Sequence, residues 1–442
     1  MTDRNTEKGT GIWNWIDRIQ GDKVIWMILI LLILYSTVTI FSSTSQLASG
    51  DVSRLDIFLD QMFTIGGGML IVFACYFIPK ADWIRRLSQL GFAVSAVMLL
   101  MLVFEISTQE VNGAVRFIVV FGLQVHVYEF VKIFMIMYLA WAVDAYKTDS
   151  FWTVNFLAGR FSSLAFLSRS GWKRLIYIYV PILVVIGCIL KGGFSSAMFI
   201  GGIMILTILI GGIPVKDIAK LLAVTVILIA GSYSIYAISG KKLFTRWGTV
   251  NERIANYFHP EDINELKPGT KEWREHLDEI RQPEGAKIAV KEGGIFGKGP
   301  GKSTQKYTVA LIFSDYMFSF IIEEYGLVFG AIPLLILYIS LLARGSIIVK
   351  YCDNDFARTA ITGITLMISS QALLHMLINV GLWPLTGQTL PMISHGKSSF
   401  LAFSIGFGVL LCISKMAKKK LDQATESANS LIVDDSHPEE KE

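Results

Sequence analysis

Charge is what this sequence is short of. Only 17% of its 442 residues are Asp, Glu, Lys or Arg while 53% are apolar, too little charge to wet the surface of a soluble domain. Cysteine is scarce as well: Cys75, Cys188, Cys352 and Cys412 lie in or beside different apolar runs without metal-ligand spacing. That excludes a disulfide scaffold and predicts free, buried thiols. His126, His259, His375 and His395 are scattered, which leaves no preformed histidine metal site. The polar start, Met1 to Lys23, shows no small-residue cleavage pattern, so no removable signal peptide is read there. Its Ile12, Trp13, Trp15, Ile16 and Ile19 suit a short interfacial helix. The formal charge of +4 is dispersed over loops flanking apolar runs, with no RNA- or DNA-binding motif, so nucleic acid is excluded as a partner. No internal repeat is found.

Apolar length is what the sequence has. Runs long enough to cross about 30 Å of hydrocarbon recur along most of the chain. They begin near Val24, Met62, Leu87, Val127, Leu175, Phe194, Ile218, Tyr316, Ala360 and Phe400, which predicts an all-α membrane protein of about ten transmembrane helices. The short connections alternate in charge. One set carries Arg85, Arg86, Lys147, Lys173, Arg174, Lys216, Lys220, Arg344, Lys350 and Arg358; the other holds little beyond Arg54, Arg116, Lys191 and Lys397. The positive-inside rule places the first set and both termini in the cytoplasm, and residues from Gly240 to about Val309 outside, as a long extracytoplasmic loop between the seventh and eighth helices. Within that loop Glu265 to Ile280 could form a surface helix, and Gly293 to Gly301 is too glycine-rich for helix or strand. The domain plan is a cytoplasmic segment 1–23, a membrane domain 24–420 and a disordered cytoplasmic tail 421–442.

Ionisable residues at membrane depth are costly, and each is a functional candidate until it is paired. Asp315, at the outer entrance of the eighth helix in an apolar setting, reads equally well as a general base or as a helix N-cap. Glu323 and Glu324 follow about 12 Å deeper along the same helix, where a structural link between helices is the stronger reading. Glu129 and Lys132 stand three apart on one helical face, an arrangement that favours a local ion pair over a substrate contact. Arg116, Arg246, Arg253 and Lys397 could converge on a phosphate, against the commoner fate of snorkelling to headgroups. The stretch Ser394 to Ser399 opens a helix with small polar groups suited to an anion. On these residues alone, transporter and enzyme are equally open.

Motifs break that tie. Asn112-Gly113-Ala114-Val115-Arg116-Phe117 resembles N-G-A-x-R-W, and Glu129 and Lys132 fit S-E-x-x-K. Arg253 through Phe258-His259-Pro260 resembles an arginine followed by an F-x-x-P turn, and Gly293 to Lys306 is similar to G-G-x-x-G-x-G-x-G-x-S-x-Q-K. Phe313 to Gly326 resembles H-T-D-F-x-F followed by E-E-x-G, and Asn379 to Ser394 fits N-x-G-x-x-P-x-T-G-x-x-L-P-x-x-S. These motifs, in this order, are those of the shape, elongation, division and sporulation (SEDS) family, the FtsW/RodA type, and the Ser-x-Gln-Lys loop leans to the division type. The resemblance implies a ten-helix peptidoglycan glycosyltransferase of the bacterial inner membrane that polymerises lipid II with a class B penicillin-binding protein as transpeptidase partner, among other cell-division proteins and membrane lipids. It assigns catalysis to Asp315. Substrate binding is expected of Arg116, Glu129, Lys132, Arg246, Arg253, Thr386, Lys397 and Ser398. A divalent cation such as Mg could assist the leaving diphosphate. A lipid II flippase and an inactive division scaffold are the alternatives. The chain departs from the motifs at Gly193, where an acidic residue is usual, at Leu311 and Phe313 in place of Glu and His, and at His395 and Lys397 in place of Tyr and Gly.

Overall fold

The computed structural model describes residues 20–44, 54–111, 114–120, 123–239, 247–248, 251, 255 and 270–435, the side chains of 54, 109–116, 120, 123, 271–280 and 419–435 excepted. The interfacial helix expected around Trp13 and Trp15 lies outside the described residues, as do Asn112-Gly113, Arg246, Arg253 and the turn at Pro260.

The chain opens with α1 (Lys23–Ser43), α2 (Arg54–Tyr76) and α3 (Ala81–Val103). Asp22 starts α1 by accepting hydrogen bonds from the backbone of Val24 and Ile25, so its N-terminus is capped by a carboxylate that suits the helix dipole. A small antiparallel sheet follows, β1 (Thr108–Val111), β2 (Ala114–Val120) and β3 (Leu123–His126), in the order β1-β2-β3. Val111 pairs with Ala114, leaving Asn112-Gly113 as the connection. This small sheet is an addition to the all-α membrane fold that the sequence does predict. Its signal was the Asn-Gly dipeptide between two strand-forming runs, a strong hairpin pattern.

The sheet leads into α4 (Val127–Lys147), then α5 (Trp152–Arg160), α6 (Ser170–Gly192, with a π turn at Leu175–Tyr179), α7 (Phe194–Ile210) and α8 (Val215–Ile238). After the long connection come α9 (Lys271–Gly293), α10 (Met317–Gly326), α11 (Ile332–Val349), α12 (Asp355–Asn379) and α13 (Lys397–Asp435). Eight helical stretches are long and apolar enough to cross a membrane. The 17-residue α7 is shorter, and α4 carries Glu129, Lys132, Asp144 and Lys147. With these two, each of the ten apolar runs is a helix.

The centre belongs to α4, α12 and α13, whose side chains are the most buried; α2, α3 and α8 expose more than they bury. Lipid supplies no hydrophobic drive between helices, so small residues that let backbones approach do much of the packing. Gly363 lies against Ile136 and Thr207, and Gly408 against Val72 and Cys75.

One end of the bundle gathers the basic loops into ion pairs: Arg344 with Asp22, Arg85 with Asp144 (2.5 Å), Lys147 with Asp355 (2.9 Å) and Arg174 with Asp217. These are residues that the sequence assigns to one side. Asp315 lies at the other end, with the C-terminus of α12 and the N-terminus of α13.

Two expectations about helix limits change. The surface helix placed at Glu265 to Ile280 instead runs through Pro283 to Gly293, held late in its course by buried Ala286 and Ala289. The last helix continues to Asp435, into the stretch expected to be a disordered tail, which has neither Gly nor Pro before Pro438 to break it.

The glycine-rich segment is held by backbone hydrogen bonds. Its backbone zips onto α10: Lys298 N–H donates to Glu323 O (2.8 Å), Gly299 N–H to Glu324 O (2.9 Å), and Leu327 N–H back to Gly294 O (3.1 Å). Gly297 has φ 78°, and a Cβ there would lie 2.3 Å from Glu324 O. Gly326 has φ 71° and ψ −169°, which breaks the helix between α10 and the π turn Leu327–Ala331 that begins the run into α11. Gly297→Ala should therefore cost about 2 kcal/mol or more, from the left-handed backbone and the overlap together. Gly294→Ala shares the strain (φ 53°) but meets nothing within 4 Å, so the difference between the two melting midpoints in detergent isolates the contact. Equal midpoints would remove close backbone approach as the reason for Gly297.

Candidate functional site

Two polar networks each join motifs that are far apart in sequence. In the first, Glu323 and Glu324 are fully buried and answered by the glycine-rich segment. Glu323 accepts from Lys298 Nζ (2.7 Å), Ser303 Oγ (2.5 Å) and the Thr304 backbone (2.8 Å); Glu324 accepts from Ser42 Oγ (2.7 Å) and lies 3.8 Å from Lys306 Nζ. Burial works against the charge of Lys298, but its bonds to Glu292 and Glu323 outweigh that and raise its pKa. The Ser-x-Gln-Lys and Glu-Glu-x-Gly motifs therefore recognise each other. Because the helix breaks at Gly326, the two glutamates do not descend with the spanning helix as the sequence suggests; they end a separate ten-residue helix.

The second network centres on Lys132, which is 2% exposed. Its three N–H groups find Glu129 Oε1 (2.8 Å), Gln371 Oε1 (2.6 Å) and Gln388 Oε1 (3.2 Å). An ammonium has three donors and no acceptor, so this cation is fully satisfied by protein. Ser399 Oγ donates to the other Glu129 oxygen (3.2 Å), and Gln388 Nε2 donates to Ser196 Oγ (3.1 Å). Gln371 and Gln388 were not candidates from sequence. The only signal for Gln371 was an amide inside an apolar helix.

Asp315 is half-buried in the turn before α10. Its N–H donates to Leu311 O (3.0 Å), and Ser314 Oγ donates to its Oδ1 (2.9 Å). The N-cap position of α10 is held by Tyr316, so the capping reading of Asp315 does not describe the helix start. The segment after α12 closes over this turn. Ser394 Oγ donates to Ser314 O (2.7 Å) and His395 N–H to Phe313 O (2.9 Å).

The departures from the motifs meet here. The Phe313 and His395 rings stand edge-on with centroids 5.9 Å apart, at the positions where the motifs have His and Tyr, so an imidazole beside an aromatic ring is kept with the partners exchanged. Burial depresses the pKa of His395, opposed by Asp60 and reinforced by Lys397. Its Nδ1 lies 3.2 Å from Gln61 Oε1. Lys397 is exposed but forms an ion pair with Asp60 on α2 (2.6 Å), so its charge is already answered. Ser196, three residues after the missing acidic position at Gly193, is the partner of Gln388.

Of the other candidates, Ser398 Oγ accepts from His126 N–H (3.1 Å) and donates to Gln124 O (3.2 Å), which ties the start of α13 to β3. Thr386 is buried, and its hydroxyl has no hydrogen-bond partner among the described residues. Arg116 lies on β2 of the sheet before α4, with Val115 paired to Glu110 and Phe117 to Gln109. Among the described residues no group of three or more His, Cys, Asp or Glu could hold a metal ion.

Known proteins place this arrangement. Two curated relatives named probable peptidoglycan glycosyltransferase FtsW, from Hydrogenovibrio crunogenus and Bacillus subtilis, are each 28% identical to the chain, over 87% and 88% of it and 90% and 89% of their own lengths. The fold is similar to that of a chain in a peptidoglycan synthase complex that coordinates polymerization and crosslinking (TM-score 0.60, 19% identity, 90% of this chain and 98% of that one). It is also similar to Thermus thermophilus rod shape determining protein RodA (TM-score 0.56, 20% identity, 90% and 98%). The model of the FtsW, RodA and SpoVE cell cycle proteins matches residues 22–419, nearly the whole of the described chain, and the protein belongs to that family.

Proposed function

We propose that the protein is a peptidoglycan glycosyltransferase that polymerises lipid II at the end of the bundle where Asp315 lies. The observation that carries this is the placement of Asp315: a half-buried residue on a turn held by Asn379, Ser394 and His395, at the end opposite the basic loops. By the positive-inside rule that end faces out of the bacterial inner membrane and both termini face the cytoplasm. Residues 24–420 form the membrane domain, with 240–309 on the outer side.

In this reading Asp315 takes the proton from the acceptor sugar hydroxyl as its oxygen attacks the anomeric carbon of the donor. The new C–O bond forms as the bond to the diphosphate breaks, and undecaprenyl diphosphate leaves with the electron pair. A single displacement inverts the anomeric centre. Arg116, Arg246 and Arg253 are proposed to meet the diphosphate, because a guanidinium fork matches phosphate oxygens. Lys397 would do so only on leaving Asp60. Glu129 and Lys132 are proposed as the floor of the site, and Thr386 and Ser398 as part of its wall. No step is routed through a metal, although Mg would suit the same diphosphate. The class B penicillin-binding protein is the proposed partner that crosslinks the strands.

A flippase would need groups able to release and rebind a charged headgroup through the full thickness of the membrane. Lys132, Glu323 and Glu324 instead have their charges engaged by protein partners, which favours the polymerase. Purified protein given lipid II, with and without its transpeptidase partner, should yield glycan chains. Translocation of lipid II in vesicles with no polymer in either condition would reverse the choice. Reporter fusions after Thr270 should read as outside, and those after Ser150 or Lys420 as cytoplasmic; a cytoplasmic Thr270 would put the long loop on the wrong side for extracellular glycan.

A further inference from the structure

The helix α10 begins just after Asp315, and its first turn is capped from another helix. The N-cap residue Tyr316 offers no side-chain cap, which leaves the N–H groups of the first turn to find partners elsewhere. The α12 helix supplies them. Phe318 N–H points at His375 Nε2 (3.4 Å), and Ser319 N–H donates to Asn379 Oδ1 (2.9 Å). His375 Nδ1 lies 2.7 Å from Gln388 O, a contact that requires a proton on Nδ1 and leaves Nε2 as the acceptor. Asn379 is 1% exposed and uses its whole amide. Oδ1 also accepts from Ser319 Oγ (3.0 Å), while Nδ2 donates to His375 O (2.9 Å) and to Asp315 O (3.0 Å). Turning the amide over would set its oxygen against two carbonyls, so the network admits one orientation.

We infer that Asn379 is a positioning residue for Asp315, assisted by Ser394. It rests on the reading of Asp315 as the general base. Asn379 grips the backbone of Asp315 itself and the third N–H of α10; Ser394 Oγ grips the carbonyl of the preceding residue, Ser314 (2.7 Å). The carboxylate is thus held from both chain directions by the ends of α12 and of the segment that follows it. Neither side chain has a donor to spare for the substrate, so their effect passes through Asp315. Displacement of a reacting group by about 1 Å costs about 100-fold in rate.

The test is steady-state turnover of lipid II by full-length Asn379→Ala and Ser394→Ala, each divided by the number of lipid II-binding sites measured on the same preparation. Counting sites removes misfolded molecules from the rate. A positioning role lowers kcat per site by about 10-fold to 100-fold and leaves the affinity for lipid II and KM within about twofold. A fall in site number with normal kcat per site makes Asn379 a structural residue only and overturns the inference. Should Asn379→Ala leave no countable sites, Ser394→Ala, which removes fewer bonds, decides by the same two criteria. Asp315→Asn is measured alongside. If it keeps its turnover, the general-base reading falls and takes this one with it; if it loses turnover while both alanine variants keep theirs, only the positioning role falls.

Discussion

Asp315→Asn is expected to insert normally, bind lipid II and its transpeptidase partner, and make almost no glycan. The substitution preserves size and the oxygen that accepts from Ser314 Oγ at 2.9 Å, and it leaves the backbone carbonyl held by Asn379 untouched. It removes only the basicity. General-base contributions are about 100-fold to 10,000-fold in rate, so the residual activity should fall in that range. The bland alternative weighed from the sequence was a helix cap, and the structure puts Tyr316 in that position. A capping loss would lower stability by about 1 kcal/mol and leave turnover per folded molecule intact. Polymer assays against a stable wild-type control separate the two outcomes. A loss of only about twofold is too small for a base and would move the search to groups on the long loop.

How much of this was legible in the sequence depends on the range of the interaction. The ten apolar runs are local patterns, and each is a helix, because apolar composition over about 20 residues is enough to specify one in a bilayer. The basic loops likewise gather at one end. The sheet was legible and overlooked: Asn112-Gly113 between β-forming runs is a hairpin signal, but it stands beside long apolar helices that dominate the pattern. What could not be read was the meeting of distant segments. In the sequence Gly297 is one of a run too glycine-rich for helix or strand, and only the position of Glu324 O explains why no side chain fits there. Glu323 and Glu324 read from the sequence as structural links between helices, yet their partners Lys298, Ser303 and Lys306 lie in the connection between α9 and α10. Gln371 and Gln388 carry no signature of their own, since an amide becomes informative only when the cation it satisfies is placed beside it.

The pair Glu129 and Lys132 yields the largest expected loss of stability. Both are at most 5% exposed, and Lys132 also holds Gln371 and Gln388. Lys132→Met leaves a buried carboxylate with Ser399 Oγ as its remaining side-chain donor and strands two amide oxygens. Breaking a buried pair by removing one partner costs about 3–5 kcal/mol, most of it the penalty of the uncompensated charge. Replacing both charges is far milder. The double variant Glu129→Gln with Lys132→Met should therefore be more stable than Lys132→Met alone, by about 1–3 kcal/mol in denaturation measured in detergent. Its activity decides what the cation is for. Because all three Lys132 donors are spent on protein oxygens, the double variant should recover lipid II polymerisation along with its stability. A double variant that is stable yet inactive would show that Lys132 reaches the substrate diphosphate during turnover, and the floor of the site would then become part of its chemistry.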